Sequence, residues 1–159
     1  MISTEQLINA VRGHESLAGF EPQHIERLAP LGTEMRFQPD EVIFHEGDNS
    51  HFFYLIVAGR VALEAMAAGR PVRVQTLNEG EEMGWSSLFS EGRTHFQARA
   101  VSLVRVIAFD GSQLRDMCEN DPAFGYLVMK RLLSIVTERL DGTRMQLLDM
   151  YAEPGVAAI

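Results

Sequence analysis

Apolar and polar residues alternate along the middle of the chain, over about residues 32–109. Alternation of this kind is typical of β-strands that bury one face. It occurs in the segments "EMRFQ", "EVIFHEGD", "RPVRVQTL" and "THFQARAVSLVRVIAFD", and "FFYLIVAGRVALEAM" reads as two β-prone runs. Because no helical segment separates successive strands, a parallel sheet is not expected. Turn signals close to the spacing of a sandwich or barrel fall at Gly47, Gly59, Gly69, Gly80 and Gly92.

Two short helices are predicted before the strands, within residues 3–30. Ser3 or Thr4 is suited to cap the first helix, because a hydroxyl can accept from the free backbone N–H groups of the first turn. The segment "EPQHIERLAPL" predicts the second helix, with Pro22 in the first turn, where proline is tolerated. Both helices are expected to pack against the strands.

Helical signals return after the strands. "GSQLRDMCEN" predicts a short helix, and Asn120 or Asp121 then caps a second helix that has Pro122 in its first position. This helix is predicted to run to Tyr151, and its apolar residues recur at spacings of three and four, as in a heptad seam broken only by a threonine. The seam consists of Met129, Leu133, Val136, Leu140, Thr143, Leu147 and Met150.

Together these elements predict an α+β fold: an antiparallel, jelly-roll-like β-roll of about eight strands with N-terminal helices and a long C-terminal helix. A chain of 159 residues is long enough for one domain with a substantial core. We place that domain at residues 1–151, with helices over 1–30, the β-roll over 31–110 and C-terminal helices over 111–151. Residues 152–159 are expected to form a tail.

The chain is predicted to form a homodimer through the 122–151 helix; the alternative is that this helix lies back on its own roll.

Composition narrows the class of protein. The formal net charge is −8, which argues against non-specific duplex binding because that depends on neutralising phosphates. Cys118 is the sole cysteine, so no intrachain disulfide forms, as is usual in a reducing compartment. The longest apolar run, "FFYLIVA", is too short to span a bilayer. We therefore expect a cytoplasmic protein without a membrane partner.

No nucleophile triad, P-loop or zinc motif is present, so we expect no enzyme activity.

Two segments resemble motifs of the cyclic nucleotide-binding domain family, the sensor domain of catabolite-activator-like regulators and of kinase regulatory subunits. "GDNSHFFYLIVAGRV" is similar to the family pattern "G-D…FY-[LIV]-x-x-G-x-V". "LNEGEEMGWSSLF" is similar to its phosphate cassette, "L-x-x-G-x-x-F-G-E-x-[AS]-L-L". The resemblance covers about residues 15–150 and implies a non-enzymatic regulatory domain whose ligand is a cyclic nucleotide.

The cassette keeps the family's shape and departs from its chemistry. In the family, a short helical turn aims backbone N–H groups at the cyclic phosphate, and a glutamate accepts from the ribose 2′-hydroxyl. Gly84 and the 86–89 turn match the first feature, and Ser86 and Ser87 carry hydroxyl groups that can donate as well. Trp85 stands at the position of the glutamate, and an indole N–H cannot accept a hydrogen bond.

The family's phosphate-binding arginine is also displaced. Counting back from "FQARA" puts Thr94 at its position, and Arg93 reaches that position only if a bulge adds one residue to the strand. His95 and Arg99 are the other cations nearby. We therefore expect a pocket that attracts an anion but lacks ribose recognition; the alternative is that Trp85 fills the cavity. The candidate ligand-binding residues are Gly84, Trp85, Ser86, Ser87, Leu88, Arg93, Thr94 and His95.

Three functions stay open at this point. The first is a regulatory module that binds cyclic AMP or cyclic GMP weakly or not at all and takes another anion or nucleotide. The second is the effector half of a transcription regulator, although only eight residues follow Tyr151, too few for a helix-turn-helix, so we expect no direct nucleic-acid binding. The third is a dimeric domain with a filled pocket that binds an unidentified protein. Some sensors on this fold carry haem, but the histidines, His45 and His51 included, show no metal-ligand spacing.

Overall fold

The structure is a computed structural model that describes residues 2–89 and 92–152. Two short helices precede eight described strands, and two helices follow them. The last helix ends at Ala152, so the rest of the predicted 152–159 tail lies outside the described residues. The bounds are α1 Thr4–Arg12, α2 Pro22–Leu28, β1 Thr33–Phe37, β2 Val42–Phe44, β3 Phe52–Ala58, β4 Val61–Ala67, β5 Arg70–Leu77, β6 Glu82–Met83, β7 Gln97–Ala100, β8 Val104–Asp110, α3 Gly111–Asn120 and α4 Pro122–Ala152.

The strands form two four-stranded sheets in the orders β1-β8-β3-β6 and β2-β7-β4-β5. Every strand pair in these sheets is antiparallel. The predicted α+β fold, with an antiparallel β-roll of eight strands between N-terminal helices and a long C-terminal helix, is confirmed. The strand β6 is only two residues long, and its pairing with β3 places residues 82 and 83 next to the turn at Gly84.

The core has two parts, one on each face of the sheet that contains β3 and β8. Successive residues of a strand point to opposite faces, so Leu55 packs with the helices and Ile56 packs inside the roll. On the helical side, Phe109 lies among residues of α1 to α4, including Phe124 and Ile135. Because β3 is covered on both faces, its sequence is apolar throughout and lacks a clear alternation.

The helix starts agree with the predictions. Ser3 forms a capping box with Gln6 at the start of α1, and Pro22 occupies the first position of α2. Asp121 caps α4, because its Oδ1 accepts from the backbone N–H of Phe124 at 3.2 Å. Each capping oxygen satisfies a backbone donor that the first turn of a helix leaves free.

The long helix α4 is buried on one side and exposed on the other. Its inner side contributes Phe124, Leu132 and Ile135 to the core, and near its end Gln146 donates to the carbonyl oxygen of Val74 on β5. Up to Arg139 the helix therefore lies against its own domain, as in the alternative prediction, whereas no residue described after Arg139 is buried. Its apolar seam nevertheless stays exposed, as at Leu133, which is 69% accessible. None of the described helices has both the length and the apolar character needed to cross a membrane.

The start of α3 provides a test of this fold. Asp110 Oδ1 accepts from the backbone N–H groups of Ser112 at 2.9 Å and Gln113 at 3.2 Å. We predict that Asp110→Ala lowers the free energy of unfolding by about 1 kcal/mol, the usual contribution of such a cap. Urea denaturation measures this, and Asp116→Ala, at an exposed position of the same helix, is the control.

The Asp110 effect should also depend on pH. Hydrogen bonds from Ser112 and Gln113 lower the pKa of Asp110 below its ordinary value of 3.8. A lowered pKa means that the charged cap stabilises the fold above that ordinary value and loses its contribution as the pH falls through the folded-state pKa. The difference in the free energy of unfolding between Asp110→Ala and the unmodified chain should therefore become smaller below pH 3.8. A difference that stays constant into strong acid would contradict a role for the charge.

Candidate functional site

The predicted ligand turn begins at Gly84, directly after β6. Gly84 has φ 78° and ψ 26°, in the left-handed region, and a Cβ built on it would lie 2.3 Å from the carbonyl oxygen of Phe52. Both the conformation and the close approach require glycine. Residues Trp85–Leu88 then form one 3₁₀ turn, in which the backbone N–H of Ser87 donates to the Gly84 carbonyl at 3.1 Å.

The far side of this turn is held by α3. The carbonyl oxygen of Ser87 accepts from Arg115 Nη1 at 2.6 Å, and a Cβ built on Gly111 would lie 2.3 Å from the same oxygen. The Ser87 hydroxyl donates back to the Gly84 carbonyl at 2.7 Å. Leu88 points into the helical side of the core, where apolar side chains surround it. Ser87 and Leu88 therefore hold the turn in place and do not face a ligand.

The near side of the turn faces a small cleft within the roll. The free volume between its side chains is about 20 Å³, which is room for about one water molecule. Trp85 covers it, with its ring stacked on His95 at a centroid distance of 5.0 Å and an interplanar angle of 12°. The cleft is lined by Phe44, Leu63, Met83, Gly84, Trp85, Ser86, Thr94, His95, Phe96 and Arg139.

The structure places Thr94, not Arg93, in the cleft. Thr94 is buried, and its hydroxyl donates to the carbonyl oxygen of His45 at 2.5 Å. Arg93 is exposed and its Nη1 donates to the carbonyl of Gly47 at 3.2 Å, so its charge points away from the cleft. The described part of β7 carries no bulge that would bring Arg93 inward: β7 begins at Gln97 and pairs regularly with β4, and the register shift between β2 and β7 lies on β2, between Val42 and Phe44.

Five of the eight predicted residues therefore meet at the cleft. Ser87, Leu88 and Arg93 lie outside it, for the reasons given above, and Arg99 is paired with Glu64 at 3.1 Å. The prediction missed Arg139, which reaches the cleft from α4. A signal for it exists in the sequence: Arg139 lies four residues after Ile135, so a charged side chain occupies the inner, apolar side of the helix.

A buried ion pair joins β6 to α4 next to the cleft. Glu82 is 2% exposed, and Arg131 Nη2 lies 3.0 and 2.9 Å from its two carboxylate oxygens. The Ser16 hydroxyl donates to the same carboxylate. Burial raises the pKa of Glu82, because the charged form is desolvated, and the neighbouring Arg131 opposes the shift. Arg139 Nη2 also donates to the Glu82 carbonyl oxygen at 2.6 Å.

The remaining candidate metal ligands are dispersed. His45 Nδ1 lies 3.0 Å from Oε1 of Gln97, and His14 Nε2 lies 2.8 Å from the carbonyl oxygen of Ile56. Within residues 2–89 and 92–152, no three His, Cys, Asp or Glu side chains are grouped so that they could hold a metal ion.

Comparison with known proteins identifies the class to which this roll and turn belong. A family model for the cyclic nucleotide-binding domain matches residues 34–121, more than half of the chain. The chain therefore belongs to the cyclic nucleotide-binding domain family.

The chain is 26% identical over 133 residues to a CRP-like cAMP-activated global transcriptional regulator of Mycobacterium tuberculosis; the match covers 83% of this chain and 58% of that protein. It is also 26% identical to a cAMP-dependent protein kinase regulatory subunit of Hypocrea atroviridis, over 82% of this chain and 27% of that protein. The crystal structure of a Geobacter metallireducens protein, provisionally assigned to cyclic nucleotide binding, aligns with a TM-score of 0.73 at 29% identity. That alignment covers 88% of this chain and 99% of the other. The domain is thus related to regulatory proteins.

The Glu82–Arg131 pair can be tested by removing one partner. Arg131→Met leaves a carboxylate buried without its cation, and we predict a loss of about 3 kcal/mol in the free energy of unfolding, as is typical for a broken buried pair. Arg27→Met is the control: it breaks the exposed pair with Asp121, and its cost should stay below about 1 kcal/mol. Urea denaturation at neutral pH compares the two variants.

The same variant has an expected pH dependence. A carboxyl whose folded pKa is raised stabilises the folded state at low pH and loses that contribution as the pH rises through the folded pKa. The defect of Arg131→Met should therefore become smaller in acid, where Glu82 is neutral. Glu82→Gln combined with Arg131→Met should be less destabilising than Arg131→Met alone. An equal cost for the two variants would show that lost packing, and not an unpaired charge, causes the defect.

Proposed function

We propose that this chain is a non-enzymatic regulatory domain that forms a homodimer through α4 and does not bind cyclic AMP or cyclic GMP tightly. The observation that carries the proposal is the Trp85–His95 stack over a cleft with room for about one water. A purine nucleotide can enter only if this stack opens. The domain instead accepts another anion, or transmits its signal through a protein partner.

The groups that face the cleft support weak binding of a cyclic nucleotide. Trp85 offers no oxygen to a ribose hydroxyl, and the Thr94 hydroxyl is already committed to the His45 carbonyl. A hydrogen bond to a charged group contributes about 1.5–3 kcal/mol, so the loss of two such contacts weakens binding on the order of a thousandfold. Arg93 does not compensate for this loss, because its side chain bonds to Gly47 outside the cleft.

The outer side of α4 supports the homodimer. The helix has 31 residues and is therefore about 46 Å long. Its inner side packs on the roll, while the six apolar seam residues are 38–69% accessible in the single chain. An apolar stripe at heptad spacing, interrupted here only at Thr143, is the surface that a second copy of the same helix covers in a coiled coil. The seam consists of Met129, Leu133, Val136, Leu140, Leu147 and Met150.

Two further observations support a domain that is regulatory and not enzymatic. The relatives named above are a transcriptional regulator and a kinase regulatory subunit, and their names describe control by cyclic AMP. Burial raises the pKa of Cys118 to about 11, so this thiol stays protonated and is a poor nucleophile. An unreactive thiol is compatible with the cytoplasmic setting that we propose for the domain.

The similarity to the M. tuberculosis protein favours a second candidate function, the effector half of a transcription regulator. This chain spans 58% of the length of that protein. The regulatory domain and the effector half of a transcription regulator would use the same cleft and the same dimer helix α4. The two candidates differ in what α4 controls.

Titration with cyclic AMP and cyclic GMP tests the pocket. Trp85 is the only tryptophan in the chain and covers the cleft, so its fluorescence reports on entry of a ligand. We predict no saturable change at micromolar nucleotide, measured by fluorescence and by calorimetry. Submicromolar binding of cyclic AMP would contradict the proposal.

A gain-of-function variant complements that titration. Trp85→Glu together with Thr94→Arg supplies a carboxylate for the ribose and a cation for the phosphate, and calorimetry should then detect cyclic AMP binding. Trp85→Ala with Thr94→Ala is the control, because it opens the same space without adding either group. Equal affinity of the two variants would show that steric access, and not the missing contacts, limits binding.

The homodimer is tested by light scattering at micromolar protein. The unmodified chain should have twice the mass of one 17.8 kDa chain. Leu140→Asp should reduce it to a single chain, because it buries a carboxylate without a partner in the seam. Met145→Asp is the matched control, since Met145 is an exposed apolar residue of α4 outside the seam. A monomeric mass for the unmodified chain would refute the dimer.

A further inference from the structure

A buried arginine lines the cleft without a carboxylate in contact. Arg139 is 9% exposed, and its Nη2 donates to the carbonyl oxygen of Glu82 at 2.6 Å. Its Nε is buried and has no hydrogen-bond partner among the described residues. Nor does any described carboxylate lie within 4.0 Å of its guanidinium. Its positive charge therefore has no carboxylate in contact, although the more distant carboxylates of Glu82, Glu81 and Glu138 favour its charged form.

Arg105 and Arg131 also have a buried Nε without a hydrogen-bond partner, but each of them contacts a carboxylate, which Arg139 does not. Arg131, which lies two helical turns earlier on α4, contacts the carboxylate of Glu82 at 2.9 Å. Arg105 contacts Glu34 at 3.4 Å. Buried charges in proteins are normally paired in this way, because an isolated charge loses its hydration without compensation. Burial lowers the pKa of Arg139, as expected for a desolvated cation, although arginine stays charged in proteins.

We infer that Arg139 is the ligand-holding cation of this cleft and that it binds an oxyanion of phosphate size. Arg139 is the one buried cation among the described residues that line the cleft, because the other basic residue there, His95, is exposed. A guanidinium presents a planar fork of N–H donors, which matches two oxygens of a phosphoryl group better than it matches a spherical ion. A role for this anion site in regulation depends on the function proposed above.

The size of the cleft defines how such an anion enters. A free volume of about 20 Å³ holds one water, so an oxyanion must displace the stacked rings of Trp85 and His95 in part. Trp85 is half-buried and borders solvent, so it can move without disrupting the core. An anion that contacts Arg139 therefore changes the surroundings of the single tryptophan. This makes the inference measurable without a label.

Titration with inorganic phosphate, followed by Trp85 fluorescence and calorimetry, tests the inference on the full chain. We expect saturable binding in the millimolar range or tighter. Arg139→Gln should weaken it at least about tenfold, because a hydrogen bond to a charged group is lost. Arg93→Gln is the matched control, since it removes the same charge outside the cleft and should leave phosphate affinity unchanged. Parallel titrations with cyclic AMP and cyclic GMP show whether a nucleotide supplies the phosphoryl group.

Thermal unfolding with and without phosphate provides a second readout. Phosphate should raise the midpoint temperature of unfolding of the unmodified chain, because a ligand that binds only the folded state stabilises that state. Arg139→Gln should show no such rise. If that variant does not fold, Arg139→Lys keeps the charge without the fork and should bind phosphate several-fold more weakly.

The inference is overturned if phosphate affects neither the fluorescence nor the midpoint of the unmodified chain, or if Arg139→Gln binds it normally. Either result leaves the proposed function standing, which the cyclic nucleotide titration and the mass measurement decide separately. Tight cyclic AMP binding that depends on Arg139 would support the inference and refute weak nucleotide binding.

Discussion

The arrangement of this domain depends on one buried carboxylate. Glu82 lies on the two-residue strand β6, and its carboxylate is held by Ser16, which precedes the roll, and by Arg131 on α4, while Arg139 on α4 donates to its backbone carbonyl. A buried carboxylate must be paired, so these segments are held in one relative position by the requirement to satisfy it. Because Gly84 follows two residues later, the position of the ligand turn is determined by the same contacts that seat the long helix.

The turn itself is constrained on both sides by backbone contacts that leave no room for side chains. Gly84 lies against the Phe52 carbonyl, and Gly111 lies against the Ser87 carbonyl. The backbone of the turn is therefore held at Gly84 and at Ser87 by close backbone contacts. These contacts do not involve the side chain at position 85, which is a tryptophan in this chain. The chemistry of the cleft can change without loss of the fold, because the fold depends on glycines and the chemistry on side chains between them.

The sequence was sufficient for most of the fold. Alternation predicted β5 over "RPVRVQTL", and the short helix predicted over "GSQLRDMCEN" is α3, both with the same bounds as in the structure. The strand β6 was missed, because two residues are too few to show a period. The site was predicted less well, since proximity across the fold has no local signature. Arg93 is adjacent to Thr94 in sequence but faces the opposite way, whereas Arg139 is distant in sequence and enters the cleft.

The position of Arg139 connects the two proposals in physical terms. It is followed directly by Leu140, whose side chain is 65% exposed on the outer side of α4, so one turn of helix contacts both the cleft and the seam. An anion on Arg139 can influence a partner helix only by binding more tightly to one arrangement of the two helices than to another. A partner on the seam must then change anion affinity by the same factor, because such coupling is reciprocal. In the proposed dimer, α4 is therefore the element that joins the cleft to the partner helix.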